Sequence, residues 1–171
     1  NELYADVFGK TYGLQCIGLR YFNVFGKNQD PNGAYAAVIP KFIDAYFHGQ
    51  TPTINGDGTT TRDFTHVNNV VSATLQALDN KNQEKDNEIY NVAFGQQTSL
   101  VELTTLIRNE LQSRFVDQAF DAPIYGPSRQ GDIQHSNASI EKIKKAFGYE
   151  PKVDLKEGIR LTVDWFLSSK T

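Results

Sequence analysis

The chain has 171 residues, with no methionine, a single tryptophan and a single cysteine. One cysteine excludes a disulfide within the chain, and the position of Cys16 in an apolar run predicts a buried, unreactive thiol. The absence of a disulfide framework indicates a reducing, cytoplasmic location. No apolar stretch approaches the roughly 20 residues that span a bilayer, so we expect no membrane partner.

Excess basic charge is also absent, because 17 basic and 20 acidic residues give a formal net charge of -3. This balance argues against nucleic acid as the main partner. His48, His66 and His135 lie far apart, and none has a second ligand one helical turn away, so we expect no metal site. The sequence contains no Gly-x-Ser-x-Gly elbow, P-loop or Gly-x-Gly-x-x-Gly motif.

The apolar spacing predicts alternating helices and strands, which is typical of the α/β class. The first helix begins without a cap, with Leu3 and Val7 one turn apart, and we interpret it as the back half of a longer helix in a fragment. Further helices are predicted at 38–48, 70–78, 100–111, 140–147 and 155–167. Strands are predicted at 14–22, 52–54, 62–67, 88–94 and 123–125, and residues 80–87 form a polar loop.

Local signals define several boundaries of these elements. Asn68 or Asn69 is predicted to cap the third helix, and Ser139 the fifth. Ser99 and Glu102 fit a capping box before the fourth helix. We interpret Gly56-Asp57-Gly58 as a hairpin turn rather than a phosphate-binding loop.

Two arginines next to turn residues carry the strongest chemical signal. Arg62 is followed by Asp63, and Arg129 is followed three residues later by Asp132. The planar guanidinium suits diphosphate oxygens, and a nearby carboxylate suits vicinal ribose hydroxyls. The alternative is that each arginine pairs with its local aspartate on the surface. Asn23 ends an apolar strand, at a place where open α/β sheets bind ligands.

Six segments in order resemble the second half of the extended short-chain dehydrogenase/reductase family. The resemblance is to its nucleotide-sugar 4-epimerases, in particular enzymes similar to UDP-N-acetylglucosamine 4-epimerase. The segments are residues 20–26 (Arg-Tyr-Phe-Asn-Val-Phe-Gly), 37–40 (Ala-Val-Ile-Pro), 54–58 (Ile-Asn-Gly-Asp-Gly), 62–64 (Arg-Asp-Phe), 90–92 (Tyr-Asn-Val) and 129–132 (Arg-Gln-Gly-Asp).

The resemblance implies the C-terminal part of that fold, with a few sheet strands and a small α/β substrate-binding domain. Residues 1–35 would end the dinucleotide-binding (Rossmann) portion, and 36–171 would mainly bind the nucleotide sugar. Residues 88–111 would return to the Rossmann sheet. The N-terminal Rossmann half, with its glycine-rich loop and Tyr-x-x-x-Lys pair, would be absent.

The implied activity is NAD-dependent oxidation and reduction at C4 of a UDP-sugar. The tyrosine of the absent pair would take the proton of the 4-hydroxyl while a hydride passes to NAD. The chain itself would hold no catalytic residue and be inactive alone, and NAD would be bound mostly by the absent half. The parent protein would be a homodimer. The fragment, with exposed strand edges, would be a swapped or rearranged oligomer unless upstream sequence stays associated with it.

The resemblance also implies roles for individual residues. Those with a substrate role would be Asn23 at the sugar or its phosphate, Val38 and Lys41 along the diphosphate and uracil, Thr53 to Asn55 at the uracil through main-chain groups, Arg62 and Arg129 at the diphosphate, and Asp132 at the ribose hydroxyls. Phe22 would contact the nicotinamide edge. Some relatives stack an aromatic ring on the uracil at the position of Asn55, so stacking is not expected here.

Ser136, seven residues past Arg129, lies where the family places a residue beside the sugar. A tyrosine there restricts the site to plain hexoses, whereas a small serine predicts UDP-GlcNAc and UDP-GalNAc as substrates. Gln29 fits the same subgroup. The alternative is that Ser136 caps the helix near Ser139.

Other functions stay open at the level of sequence. A 4,6-dehydratase or a UDP-glucuronate decarboxylase of the same family would differ mainly in residues near the absent Tyr-x-x-x-Lys pair. A noncatalytic nucleotide-sugar binding module is the alternative outside enzymology.

Overall fold

The computed structural model describes residues 1–33, 37–79 and 87–170. The described helices are α1 Glu2–Tyr12, α2 Val38–Phe47, α3 Val67–Asp79, α4 Leu100–Arg114, α5 Glu141–Phe147 and α6 Leu155–Lys170. The described strands are β1 Ile17–Tyr21, β2 Val24–Phe25, β3 Thr53–Asn55, β4 Thr61–Arg62, β5 Thr65–His66, β6 Glu88–Val92, β7 Thr98–Ser99 and β8 Ile124–Gly126. The predicted α/β class is confirmed. The predicted loop at 80–87 lies outside the described residues, except for Asn87.

Short strand pairs, mostly parallel, connect distant parts of the chain. β1 pairs in parallel with β6 over the register Ile17↔Glu88 to Tyr21↔Val92. β2 pairs in parallel with β5, and β3 with β8, whereas β4 and β7 are antiparallel. Each pairing crosses a long stretch of sequence, so the strand ends gather residues that are far apart in the chain.

Two hydrophobic clusters form the core of the described residues. The larger cluster joins α2, α4 and α6 to strand residues Phe25 and Ile54. The smaller cluster joins α3, α5 and β6, with Tyr149 buried at its centre. Of the predicted range 88–111, β6 pairs with β1, whereas α4 packs in the larger cluster against α2 and α6. The division of the chain into two portions stays a prediction.

The predicted capping box at the start of α4 is confirmed. The amide of Glu102 donates to Ser99 Oγ at 3.2 Å, and the amide of Ser99 donates to Glu102 Oε2 at 2.8 Å. The hydrogen bonds that the Ser99 amide and hydroxyl donate to the carboxylate lower the pKa of the Glu102 carboxyl. Gly148 ends α5 in the left-handed conformation, with φ 70°, as predicted.

The single strand predicted at 62–67 is wrong, because Asp63 and Phe64 interrupt it. Asp63 is fully buried and accepts hydrogen bonds from the amides of Phe94 at 3.1 Å and Gly95 at 3.0 Å. Phe64 packs in the larger cluster. The chain therefore turns between β4 and β5, which pair with different strands.

The predicted hairpin at Gly56-Asp57-Gly58 is also wrong, since β3 pairs in parallel with β8 and not with β4. The turn instead contacts the first turn of α4, where the amide of Val101 donates to the Gly58 carbonyl at 3.3 Å. Gly58 has φ +79°, and a Cβ there would lie 2.5 Å from Val101 Cγ2. Glycine is therefore required for the close approach of this turn to the helix.

Two cap predictions and the prediction for Cys16 need correction. Asn69 is buried inside α3, and its Oδ1 accepts from the amides of Lys152 and Val153, so it does not cap the helix. α5 begins at Glu141 with Ile140 at its N-cap, so Ser139 lies one residue before the cap position, although its Oγ accepts from the Glu141 amide at 3.5 Å. Cys16 precedes β1 and is only half-buried, because the strand begins at residue 17.

Large apolar side chains are exposed on two of the helices. α1 buries none of its residues, and Leu3 and Tyr4 are 82% and 72% exposed. On α3, Leu75 and Leu78 are 55% and 75% exposed. None of the described helices combines the length and apolarity needed to cross a membrane.

Candidate functional site

A cavity of about 310 Å³ lies where Asn23 and β2, the first turn of α2, β3, β4 and the segment of Arg129 and Asp132 converge. Eight residues that the sequence assigned to substrate line it together: Asn23, Val38, Lys41, Thr53, Asn55, Arg62, Arg129 and Asp132. Phe42, Ile54 and Phe64 extend from the larger cluster to its wall. The cavity is thus part apolar and part charged, as is common for small-molecule sites.

Asn23 reaches the cavity in a strained backbone conformation. Its φ is 36°, in the left-handed region that asparagine tolerates better than most residues. Its Nδ2 donates to the Asp63 carbonyl at 3.1 Å. Burial raises the pKa of the Asp63 carboxyl, and backbone hydrogen bonds from Gly95 and Phe94 oppose that rise. The backbone carbonyl of Asp63 therefore holds the Asn23 side chain in place. Asp63 itself does not line the cavity, although its neighbour Phe64 does.

Arg62 is paired with a distant carboxylate. Its Nη2 donates to Asp132 Oδ1 at 2.6 Å, and its Nη1 donates to the Thr61 carbonyl at 2.8 Å. The Arg62 side chain is 16% exposed and that of Asp132 is 44% exposed. Pairing of Arg62 with its neighbour Asp63, the alternative left open by the sequence, is therefore wrong. Asp132 keeps one carboxylate oxygen outside this pair.

Arg129 is held by a neutral group instead. With the Asn55 amide oriented by its hydrogen bonds, its oxygen accepts from Arg129 Nε at 3.1 Å and from Nη2 at 3.3 Å. Within the described part of the chain, no ion pair is formed by Arg129 or by Lys41. The local pairing of Arg129 with Asp132 is therefore also wrong, because that aspartate bonds Arg62.

The charge of the cavity lining is positive. Lys41, Arg62 and Arg129 are cationic and Asp132 is anionic, which gives a net charge of +2. The first turn of α2 also lines the cavity, with no acidic residue there and no side-chain hydrogen bond at its N-cap, Ala37. A helix N-terminus with unpaired amides attracts anions. The arrangement suits a phosphate-bearing ligand.

Sequence reasoning missed Thr60 and Leu100, which also line the cavity. The amide of Leu100 donates to the Thr60 carbonyl at 3.1 Å, beside the β4–β7 pair. Strands of two residues carry no readable alternation, so the only available signal was the capping box that begins α4 one residue before Leu100.

Ser136, Phe22 and Gln29 lie outside the cavity lining. The amide of half-buried Ser136 donates to the Thr61 carbonyl at 3.1 Å, immediately before Arg62. Ser136 does not cap α5, whose N-cap is Ile140, so that alternative is wrong.

Phe22 is half-buried after β1, and its amide donates to the Val92 carbonyl at 3.1 Å. Gln29 Nε2 donates to the Val24 carbonyl at 3.0 Å.

Metal ligands are not clustered in the described ranges, where no group of three or more His, Cys, Asp or Glu side chains could hold an ion. His135 Nδ1 lies 3.0 Å from Thr61 Oγ1, next to Arg62 in the sequence. The cavity lining offers cations, a carboxylate, side-chain amides and main-chain groups for binding.

The chain is similar to solved nucleotide-sugar epimerases. A UDP-N-acetylglucosamine 4-epimerase of Methanobrevibacter ruminantium, solved with UDP-N-acetylmuramic acid, is similar at 39% identity and a TM-score of 0.86, covering 98% of this chain and 51% of that one. A UDP-glucose 4-epimerase of Thermotoga maritima, solved with UDP-glucose, is similar at 36% identity and a TM-score of 0.87, covering 99% of this chain and 52% of that one.

A UDP-glucose 4-epimerase of Mycolicibacterium smegmatis is 34% identical over 165 residues, which are 96% of this chain and 50% of that protein. The chain thus spans about half the length of the relatives it matches. The predicted resemblance to nucleotide-sugar epimerases is confirmed, and so is the fold class it implied.

The family model that matches residues 1–93 is that of the NAD dependent epimerase/dehydratase family. Phe22 is the one residue of this chain that the sequence assigned to NAD, and the sequence has no Gly-x-Gly-x-x-Gly loop. This family model matches more than half of the chain, and solved epimerases superpose on nearly all of it. The chain therefore belongs to the NAD dependent epimerase/dehydratase family.

Proposed function

We propose that this chain is the substrate-binding half of a UDP-N-acetylhexosamine 4-epimerase. The observation that carries the proposal is the cavity, which gathers three cationic side chains, one carboxylate and the first turn of α2. A nucleoside diphosphate sugar needs such a combination, since its diphosphate is anionic and its ribose offers vicinal hydroxyls.

The described contacts support a role for each group. Arg62 and Arg129 would bind the diphosphate with Lys41, and the free carboxylate oxygen of Asp132 would accept from the ribose hydroxyls. β3 pairs on one side with β8. Its three residues line the cavity, so main-chain groups of Thr53–Asn55 would meet the uracil. Asn23 would contact the sugar or its phosphate with the amide oxygen that its bond to Asp63 leaves available.

Ser136 supports the N-acetylated sugar. Its amide donates to the Thr61 carbonyl, which also accepts from Arg62 Nη1, so the backbone of residue 136 lies next to the Arg62–Asp132 pair. The similar epimerase of Methanobrevibacter ruminantium is named for UDP-N-acetylglucosamine, whereas those of Thermotoga maritima and Mycolicibacterium smegmatis are named for UDP-glucose. The size of residue 136 is the feature that we expect to decide between these sugars.

In the whole protein, we propose that the reaction is NAD-dependent oxidation and reduction at C4, in a cytoplasmic homodimer. The chain contains no Tyr-x-x-x-Lys pair. It would bind substrate without turning it over. Swapped or rearranged assembly of this chain alone stays a prediction.

Calorimetric titration of the chain with UDP-GalNAc, UDP-galactose and NAD tests the proposal. We expect both UDP-sugars to bind without NAD. Ser136→Tyr should abolish binding of UDP-GalNAc and keep that of UDP-galactose, because the added ring occupies the space of the acetyl group. Ser113→Tyr, on the exposed face of α4, is the matched control and should change neither. Equal loss of both sugars in Ser136→Tyr would contradict the assigned sugar, and a wild-type chain that binds neither would contradict the proposal as a whole.

A further inference from the structure

Two arginines line the same cavity, but their partners differ in charge. Arg62 is paired with the carboxylate of Asp132 at 2.6 Å, and its side chain is mostly buried. Arg129 is exposed, and its partner is the uncharged amide of Asn55. The positive charge of Arg62 is therefore largely balanced inside the protein, whereas that of Arg129 is not.

The hydrogen bonds of Asn55 constrain the guanidinium of Arg129. Its amide oxygen accepts from both Nε at 3.1 Å and Nη2 at 3.3 Å, which are neighbouring donors on one edge of the planar group. Two bonds to one edge restrict rotation of the plane. The opposite donors, on Nη1 and the far side of Nη2, have no hydrogen-bond partner among the described residues. A neutral acceptor thus orients the arginine and keeps its charge available for an anion.

The local fold builds this contact. Asn55 lies opposite Gly126 in the parallel β3–β8 pair, three residues before Arg129. The amide of Gly56 donates to the Gly126 carbonyl at 3.0 Å, which fixes the register at the strand end. A Cβ on residue 126 would lie 3.2 Å from Thr53 Cγ2 and 3.7 Å from the Asn55 side-chain amide. Glycine at 126 therefore relieves a tight contact with Thr53, and the strand pair brings Asn55 and Arg129 to the same end of β3 and β8.

We propose that Asn55 is a positioning residue, which holds the guanidinium of Arg129 toward the diphosphate of the ligand without neutralising it. The inference rests on the proposed function, since it assumes that a nucleoside diphosphate occupies the cavity. It differs from the role that the sequence assigned to Asn55, which was a main-chain contact with the uracil.

A double-mutant cycle in UDP affinity tests this role. Asn55→Ala should raise the Kd for UDP about 10-fold, because a hydrogen bond to a charged group is lost. The same substitution in an Arg129→Ala background should cause no further loss, since Asn55 then has nothing to position. Asn55→Asp keeps the acceptor but neutralises the arginine, so it should also weaken UDP binding at least 10-fold. Asn109→Ala, on the exposed face of α4 outside the cavity, is the control and should bind UDP as the wild type does.

A second measurement needs no ligand. In nitrogen-15 NMR spectra of the chain, the Arg129 Nε–H signal, assigned by its loss in Arg129→Ala, should be sharp in the wild type. In Asn55→Ala it should move to the position of a freely rotating arginine.

The outcomes separate the two proposals. Additive losses of UDP affinity in the cycle, or an Arg129 signal that Asn55→Ala leaves unchanged, would overturn the positioning role while the proposed function stands. A wild-type chain that binds no UDP would overturn both.

Discussion

Helices α1 and α4 differ sharply in how they use their apolar residues. α1 buries none of its residues, and its Leu3 is 82% exposed. α4 buries Leu103, Ile107 and Leu111 completely, in the larger cluster that supports the cavity. Apolar side chains are present in both helices, but those of α4 are buried in a core cluster, whereas the large apolar side chains of α1 are exposed.

The difference teaches which part of the molecule holds the candidate site in place. The larger cluster unites α2, α4 and α6 and reaches the cavity wall, so its packing energy is available to fix the cavity residues. The region of β1 and α1 contributes a two-stranded sheet and an exposed apolar face. We therefore expect stability to be concentrated in the larger cluster.

A matched pair of leucine truncations gives the largest expected effect. Leu103→Ala removes a fully buried side chain and should lower the free energy of unfolding by about 2–5 kcal/mol, because a cavity is left in the core. Leu3→Ala removes an exposed side chain and should change it by about 0.5 kcal/mol or less. Urea denaturation followed by circular dichroism measures both. Similar losses in the two variants would show that α1 packs as tightly as α4 and would remove the contrast.

The second prediction concerns the link between the two clusters. Asn69, on α3 beside the smaller cluster, accepts from the amides of Lys152 and Val153 at 3.0 Å each and donates to the Val153 carbonyl at 2.7 Å. These residues lead into α6 of the larger cluster. Asn69→Ala should cost about 1–3 kcal/mol, since buried backbone groups lose their partners.

Asn68→Ala is the matched control for Asn69→Ala, because the Asn68 side chain is exposed. We expect it to change the free energy of unfolding by about 0.5 kcal/mol or less. Thermal unfolding followed by both near- and far-ultraviolet circular dichroism should stay a single transition in wild type and split in Asn69→Ala. A single transition at unchanged temperature would show that the clusters are joined by other contacts.

The features that the sequence predicted correctly are local ones. The capping box depends on Ser99 and Glu102, three residues apart, and the stop at Gly148 depends on one backbone conformation. Helix α2 was placed correctly by its apolar spacing and by Pro40 in its first turn. Short-range geometry decides these features, so the sequence contains enough information about them.

The features that the sequence did not predict depend on long-range pairing. Arg62 has an aspartate as its immediate neighbour, yet it bonds Asp132 because Asp63 is buried against the amides of Phe94 and Gly95. Asn69 had the residue type of a cap, yet the approach of residues 152–153 made it an interior side chain. The residues that line the cavity could be predicted from the family resemblance. Their hydrogen-bond partners could not, because those depend on the folded structure.

The smallest expected effect is a pH dependence at the border of the two clusters. His66 is 4% exposed in β5, with its ring edge-on to Phe25 at 5.4 Å between centroids. Burial lowers the pKa of His66, and the charge of Glu157 opposes that shift. The Asn68 amide donates to His66 Nδ1 at 3.3 Å, which suits a neutral ring with its proton on Nε2.

The sign of the effect follows from the lowered pKa. Above the ordinary histidine pKa of about 6.5, neither the folded nor the unfolded chain binds this proton, and His66 carries no penalty. As the pH falls below that value, the unfolded chain binds the proton first, so the free energy of unfolding decreases until the folded pKa is passed. The slope from one proton is at most about 1.4 kcal/mol per pH unit.

His66→Gln should flatten this slope between pH 7 and the folded pKa, since glutamine does not titrate and its side-chain oxygen can still accept from Asn68. Urea denaturation of both chains across this range measures the difference, and His135→Gln, at an exposed position whose partner is the uncharged Thr61 hydroxyl, is the control and should keep the wild-type slope. The titrating carboxyls common to all three chains cancel in the comparison, except for Glu157, whose charge interacts with His66. If His66→Gln retains the full slope, the acid sensitivity arises elsewhere, and the border between the clusters tolerates a charged imidazolium.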